Sequence, residues 1–198
     1  MFYDAVKNDH GFQYDPFKAI VAPRPIGWIS TVSPAGIANL APYSFFNAMS
    51  DNPHYVAFGA GTDKDSQRNA EATGEFAVNL ATFELREQMN VSSANVGPNV
   101  DEFELSGLTK AKCNMIGAPR VAESPACLEC KLFKVVHLPD DSGGGGYYMV
   151  IGRVVGIHIE DRFITDGRVD TAAMQPIARM GYSEYATVTK AWRMRRPA

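Results

Sequence analysis

Cysteine is scarce in this 198-residue sequence. Only Cys113, Cys127 and Cys130 occur, an odd number that excludes a framework of paired disulfides as the source of stability. Charge excess is lacking too. Nineteen Lys and Arg against 22 Asp and Glu leave a formal net charge of −3, which excludes the broad basic face that nucleic-acid binding requires. No run of about 18 uncharged apolar residues is present to span a bilayer as a helix. Met1 to His10 has neither the basic nor the apolar region of a secretory signal, so the expectation is a cytoplasmic protein without membrane contact. Four catalytic signatures are also missing: a GxSxG elbow, an HExxH metal helix, a GxxxxGK[ST] loop and a GxGxxG turn after a strand.

What is present suits one globular domain over residues 1–198, since 45% of residues are hydrophobic and 21% charged. Apolar runs bounded by Gly, Pro, Asn or Asp recur at Ile26 to Val32, Tyr55 to Gly59, Glu75 to Leu80, Cys127 to His137 and Tyr147 to Ile159, and these are strand signals. The first run breaks at Ser33-Pro-Ala-Gly36 and resumes at Ile37, which predicts a hairpin. The glycine-rich loop Pro139 to Gly146 joins the last two runs. Helical signals are fewer. Asp63 or Asp65 can cap a helix running to Thr73 and stopped by Gly74, Thr82 can cap another beginning at Phe83, and a short helix is predicted around Asp101 to Leu105. Short strands with helices inserted between them, and no repeating β-α-β pattern, favour a closed antiparallel barrel over a doubly wound sheet.

Cys127-Leu-Glu-Cys130 has the spacing of a redox dithiol or half a zinc site. It lies inside a strand run, where residues three apart point to opposite faces, and no second Cys/His pair follows at ligand spacing, so buried structural thiols are expected. The histidines are scattered singly, and His137 alone is kept as a site candidate. Arg193, Arg195 and Arg196 make the tail basic; it reads as solvated, the alternative being contact with a cofactor phosphate or a neighbouring subunit. Two segments carry ligand-binding chemistry. Thr62 to Asn69 places a lysine, a hydroxyl, an arginine and an amide at a helix start, where backbone N–H groups and the dipole favour an anion. Asn39 to Asn47, with small residues, a proline and aromatics, suits the border of a flat aromatic ligand. An ordinary exposed helix and ordinary core packing account for the same two compositions.

Taken together, Ala22-Pro-Arg-Pro-Ile-Gly-Trp-Ile-Ser-Thr31, Asn39-Leu-Ala-Pro-Tyr-Ser-Phe-Phe-Asn47, Lys64-Asp-Ser-x-x-Asn69 and Thr73-Gly-Glu-Phe-x-Val-Asn79 resemble the flavin reductase-like family of FMN-binding split barrels. That family includes flavoredoxins and the flavin-supplying components of two-component monooxygenases. Glu123-Ser-Pro, Leu128-Glu-Cys, Val150-Ile-Gly-x-Val-Val155 and Pro176-x-x-Arg179-Met-Gly-x-x-x-Tyr185 extend the likeness, which covers about residues 15–185. One departure is the serine at Ser66, where the family commonly has threonine; the hydroxyl is kept. The Gly143 to Gly146 stretch matches no family motif.

The resemblance implies a mainly β fold with inserted helices: a six-stranded antiparallel Greek-key barrel that forms a homodimer and binds FMN near the dimer interface. It implies that Lys64, Ser66 and neighbouring backbone, including Asp65 and Asn69, hold the phosphate, with Arg68 and Arg24 adding charge. Asn39 and the Ala41, Pro42, Tyr43, Ser44, Phe45 backbone would border the ring, while Ser44, Phe45, Ser30 and Thr31 line the pocket and Trp28 and Asn47 are lesser contacts. Arg179, Gly181, Tyr182 and Tyr185 would close the open face where a nicotinamide stacks. The implied activity is hydride transfer from NADH or NADPH to FMN N5, with electrons passed to a monooxygenase or other acceptor protein and no catalytic side chain required. Alternatives are an FMN electron carrier reduced by a protein partner and a redox-inactive barrel; a pyridoxamine-phosphate oxidase-like role fits the motifs less well.

Overall fold

The computed structural model describes residues 1–197. In chain order the elements are α1 (Phe17–Ile20), β1 (Arg24–Pro25), β2 (Gly27–Val32), β3 (Ala38–Tyr43), β4 (Phe46–Asp51), β5 (His54–Gly61), α2 (Asp65–Thr73), β6 (Glu75–Leu80), α3 (Arg86–Val91) and α4 (Glu102–Ser106). There follow β7 (Lys110–Ala111), β8 (Arg120–Val121), β9 (Ala126–Pro139), β10 (Gly146–Ile159), β11 (Ile164–Thr165), β12 (Arg168–Val169), β13 (Ile177–Arg179) and β14 (Tyr185–Thr187). The fold is mainly β with few helices, and no helix among the described residues is long and apolar enough to cross a membrane.

Seven strands share one sheet in the order β3-β2-β6-β9-β10-β5-β4, the expected six with one added. The sheet is rolled. Gly27 on β2 and Phe46 on β4 stand near opposite ends of that order, yet a Cβ at Gly27 would lie 2.6 Å from the Phe46 ring. Only glycine lets the two margins approach this closely. Inside the roll sit Ile29, Val56, Phe58, Phe76, Val78 and Val150. A second buried cluster, on the outside, joins Trp28 and Leu40 to Leu85, Met89 and Phe103 of the helical segments. Neighbours Trp28 and Ile29 therefore point into different cores, as strand alternation demands, and β2 is buried on both faces.

The hairpin expected around Ser33 to Gly36 forms, pairing Val32 with Ala38 and Gly27 with Tyr43. Gly74 closes α2 in the left-handed conformation at φ 74°. Two local readings are corrected. Neither Asp63 nor Asp65 caps α2: the capping position is Lys64, whose side chain makes no capping bond, because Asp65 is already helical and its carboxylate takes Arg68 at 2.5 Å. Thr82 starts no helix; it bridges to Pro176, and α3 begins only at Arg86. The loop after Pro139 joins the last two strands as expected and forms a hairpin tip, since β9 and β10 pair out to Pro139 and Gly146. The glycine run there is explained by Gly143 at φ 72° and Gly146 at φ 128°, where a Cβ would meet the Leu138 carbonyl. Asp101 does cap α4, accepting from the Phe103 amide at 2.9 Å.

Candidate functional site

Two concavities meet along the segment from Asn39 to Asn47. The first is a polar cavity of about 340 Å³ walled by Asn39, Ala41, Pro42 and Tyr43 of β3, by Asp63 to Ser66 and Arg68 at the start of α2, by residues 92–96 and 98, and by Glu102. The second is an apolar cleft of about 980 Å³ that takes Ser44, Phe45, Phe46 and Asn47 from the same segment, together with α1 and the tip of the β9–β10 hairpin. Both volumes fall in the range of small-molecule sites.

The wall of the polar cavity is held by a buried network. Asn39 donates through Nδ2 to both carboxylate oxygens of Glu102 at 3.1 Å, and the Leu40 amide donates to Glu102 Oε2 at 3.0 Å. The Asn39 carbonyl oxygen accepts from Ser66 Oγ at 2.7 Å and Thr31 Oγ1 at 3.3 Å, and Thr31 in turn accepts from Asn69 Nδ2 at 3.1 Å. These bonds tie β2, β3, α2 and α4 together, so the position of the α2 N-terminus is set by side chains already satisfied. Burial pushes the Glu102 carboxyl above its ordinary range, against the bonds from the Leu40 amide and Asn39. Burial likewise pushes the Tyr43 hydroxyl up to about 12, with a hydrogen bond to Ser66 opposing and Asp65 and Glu102 adding to the rise. In each group burial acts against the charged form.

At the mouth, Lys64 is exposed and makes no ion pair among the described residues, while Arg68 is paired with Asp65 and Asp63. With no side chain capping α2, its first amides and Lys64 form one cationic, donor-rich edge.

The site residues expected from the sequence separate into four places. Asn39, Ala41, Pro42, Tyr43, Lys64, Asp65, Ser66 and Arg68 come together in the polar cavity. Arg24, Ser44, Phe45 and Asn47 line the apolar cleft. Arg24 is corrected as a source of phosphate charge: its guanidinium is buried and donates to the carbonyls of Lys18, Val21 and Met180, stapling α1 to the C-terminal segment. Trp28, Ser30, Thr31 and Asn69 lie behind the wall rather than in it. The Trp28 indole donates to Ser92 Oγ at 2.9 Å and Ser30 to the Pro119 carbonyl at 2.6 Å, so neither side chain faces a ligand. Arg179, Gly181, Tyr182 and Tyr185 gather elsewhere: Arg179 donates to the Tyr182 carbonyl at 2.5 Å and lies 4.5 Å over the Tyr185 ring, and Gly181 rests on Ala19. They line neither cavity but flank the cleft, because Arg24 pairs with Arg179. His137 stands at the hairpin tip, hydrogen-bonded to the Gly145 carbonyl and stacked on Tyr148.

Sequence reasoning missed Glu102 and the Ser92-to-Pro98 loop. The signal for the loop was its Ser-Ser-Ala-Asn-Val-Gly-Pro composition, which leaves backbone groups free to face a cavity. For Glu102, 62 residues from Leu40, no local signal exists.

Residues 21–171 match the flavin reductase like domain. An uncharacterised protein of Halalkalibacterium halodurans is 35% identical over 182 residues, covering 89% of this chain and 87% of its own. The structure superposes on nitrilotriacetate monooxygenase component B from Bacillus cereus with a TM-score of 0.90 and 29% identity, over 98% of both chains. A Shewanella frigidimarina protein with a split barrel domain shares the fold at a TM-score of 0.84 and 24% identity over the whole of both chains. With its rolled sheet, its helix start facing a polar cavity and a family match over most of its length, this chain belongs to the flavin reductase-like family and has its split β-barrel fold.

Proposed function

We propose that the protein is an FMN-dependent oxidoreductase of the NAD(P)H:flavin reductase kind, acting as a single-domain subunit of a cytoplasmic homodimer. The observation that carries this reading is the uncapped N-terminus of α2 beside the unpaired Lys64, opening on a polar cavity whose β3 wall continues into the apolar cleft. Its donor set fits the phosphate of FMN: several backbone N–H groups, one free ammonium and a hydroxyl-bearing residue at a helix start. The Ser44 to Asn47 stretch, with the apolar residues of the cleft, fits a flat ring.

When bound, FMN would supply the redox chemistry, as an acceptor of hydride from a reduced nicotinamide. The chain's own residues bind and orient. Lys64 and the amides of Asp65 and Ser66 hold the dianion, with Arg68 contributing less because Asp65 already neutralises it. The Ser66 hydroxyl is committed to Asn39, so it fixes the helix start and offers the phosphate its backbone amide. Asn39, Ala41 and Pro42 would border the ring edge, and Phe45 and Tyr147, with ring centroids 5.6 Å apart, would give the cleft an aromatic side. Arg179, Tyr182 and Tyr185 flank the side from which the nicotinamide stacks. No proton donor among these residues is required. The likeness to a monooxygenase component B supports a monooxygenase as electron acceptor.

The test is the visible spectrum of purified protein with and without FMN, followed by anaerobic NADH or NADPH. Bleaching of bound flavin at a catalytic rate supports the reductase. Flavin that binds but stays oxidised refutes nicotinamide as donor and leaves an electron carrier, and no flavin binding refutes the whole assignment.

A further inference from the structure

Away from both cavities, one face of the β9–β10 hairpin gathers a different chemistry. Cys127 and Glu129 are two apart on β9 and so share a face. Cys127 pairs with His158 and Glu129 with Gly156 across the ladder, which puts His158 on that face as well. The Glu129 side chain lies across Gly156, where a Cβ would come within 3.1 Å of its carboxylate carbon. That glycine lets the carboxylate reach His158 Nε2, to which it is hydrogen-bonded. The loop between β7 and β8 then folds over the face and delivers Cys113, with the Asn114 and Met115 amides donating to the two Glu129 oxygens at 2.8 and 2.5 Å. Cys113 and Cys127 share one buried cluster, while Cys130 points into the barrel core on the opposite side. Cys127 and Cys130 face opposite ways, as strand alternation predicts, and Cys127 lies with Cys113 instead.

We propose that Cys113, Glu129 and His158 form a three-ligand binding site for a thiophilic divalent cation of the zinc class, with water as the fourth ligand. The ligand atoms of the first three all lie within 4.8 Å of one another. A tetrahedral zinc ion with bonds of about 2.0–2.3 Å needs ligand atoms roughly 3.3–3.8 Å apart, so small side-chain rotations bring these three to bonding distance. The set is chemically matched: thiolate, imidazole and carboxylate are the three zinc donors, whereas calcium and magnesium would require oxygen alone. The surroundings supply an outer shell too, since the Asn114 and Met115 amides orient the carboxylate. Cys113 and Glu129 are buried, and the His158 side chain is 24% exposed, which provides an entry path. Binding releases the Cys113 thiol proton as the sulfur becomes a ligand. The ion would fasten the 113–119 loop to the sheet; that loop already touches β2 through Ser30 and β6 through Glu75.

The experiment uses the full-length protein, chelator-treated and kept reduced, titrated with cobalt(II) and then zinc. One cobalt per chain is expected, with a thiolate-to-metal charge-transfer band in the near ultraviolet that zinc bleaches. Cys113→Ser and His158→Gln are each expected to weaken cobalt binding at least tenfold, while Cys130→Ser leaves it unchanged. FMN titration of every variant reports whether it has folded. On the wild-type protein, zinc is expected to slow alkylation of Cys113. A cobalt spectrum without the thiolate band, a band that survives Cys113→Ser, or a Cys113 thiol that zinc does not protect would each overturn the site. So would ready closure of a Cys113–Cys127 disulfide by peroxide at the same rate with and without zinc.

Discussion

Replacing Asn39 by aspartate changes one atom group and tests the network that positions α2. Asn39 Nδ2 sits 3.1 Å from each oxygen of Glu102, both residues being buried. In Asn39→Asp an oxygen takes the place of that nitrogen. Two carboxylates about 3 Å apart repel by about 5 kcal/mol at an effective dielectric of about 20. Protonating one of them instead costs about 1.4 kcal/mol for each pH unit above an ordinary carboxyl pKa near 4, or about 4 kcal/mol at pH 7. The second route is cheaper, so the folded pair holds one proton that the unfolded chain does not. Its folded pKa is raised, and stability therefore falls as pH rises. Urea unfolding at pH 5, 6 and 7 should show the variant losing about 1.4 kcal/mol per pH unit relative to wild type, from a small deficit at pH 5 to about 4 kcal/mol at pH 7. Adding Glu102→Gln should restore most of the loss, because an amide at position 102 then donates to the new carboxylate, reversing the direction of the original bond. A pH-independent deficit, or a double variant no better than the single, would refute the network as described.

Further expectations follow from the same geometry. Lys64→Ala should weaken FMN binding roughly ten- to a hundredfold, the worth of one bond to a charged group of about 1.5–3 kcal/mol. Arg68→Ala, exposed and already paired with Asp65, should change it less than about threefold; fluorescence titration of the flavin separates the two. Gly152→Ala would drive a Cβ into the buried Phe76 ring and should cost about 1–3 kcal/mol in urea unfolding through overpacking. Asp101→Ala removes the α4 cap and the partner of Lys110, with an expected loss of about 1 kcal/mol on the same unfolding assay.

The strands were legible because their β-branched and aromatic runs end on turn residues, and the α2 stop because Gly74 alone tolerates a positive φ at that point. The α2 start was misplaced because Asp63, Lys64 and Asp65 all suit a first turn, and only the backbone decides which is helical. At the site, the cavity residues of β3 and α2 were found as motifs, but their facing was not. On a strand exposed on one side, alternation separates inward from outward residues; β2 is buried on both sides, so Trp28, Ser30 and Thr31 carry no mark of which neighbour they meet. Glu102 and the 92–98 loop join the site through tertiary contacts alone. The opposite facing of Cys127 and Cys130 was legible from strand alternation and holds, whereas the loop that brings Cys113 to Cys127 left no local mark.

The offset of the long hairpin has a bearing on solubility. β9 pairs with β6 only through Lys131, and β10 with β5 only from Tyr147 to Arg153, so residues 133–139 of β9 present one open row of backbone donors and acceptors. Such a row is a template for a further strand. Leu132, Phe133, Val135 and Val136 would make a sticky run, yet exposed Lys134 interrupts them and Pro139 ends them. Lys134 thus acts as a gatekeeper against fibrillar stacking, and Lys134→Val would leave five consecutive apolar residues on an open edge, the composition of a cross-β segment.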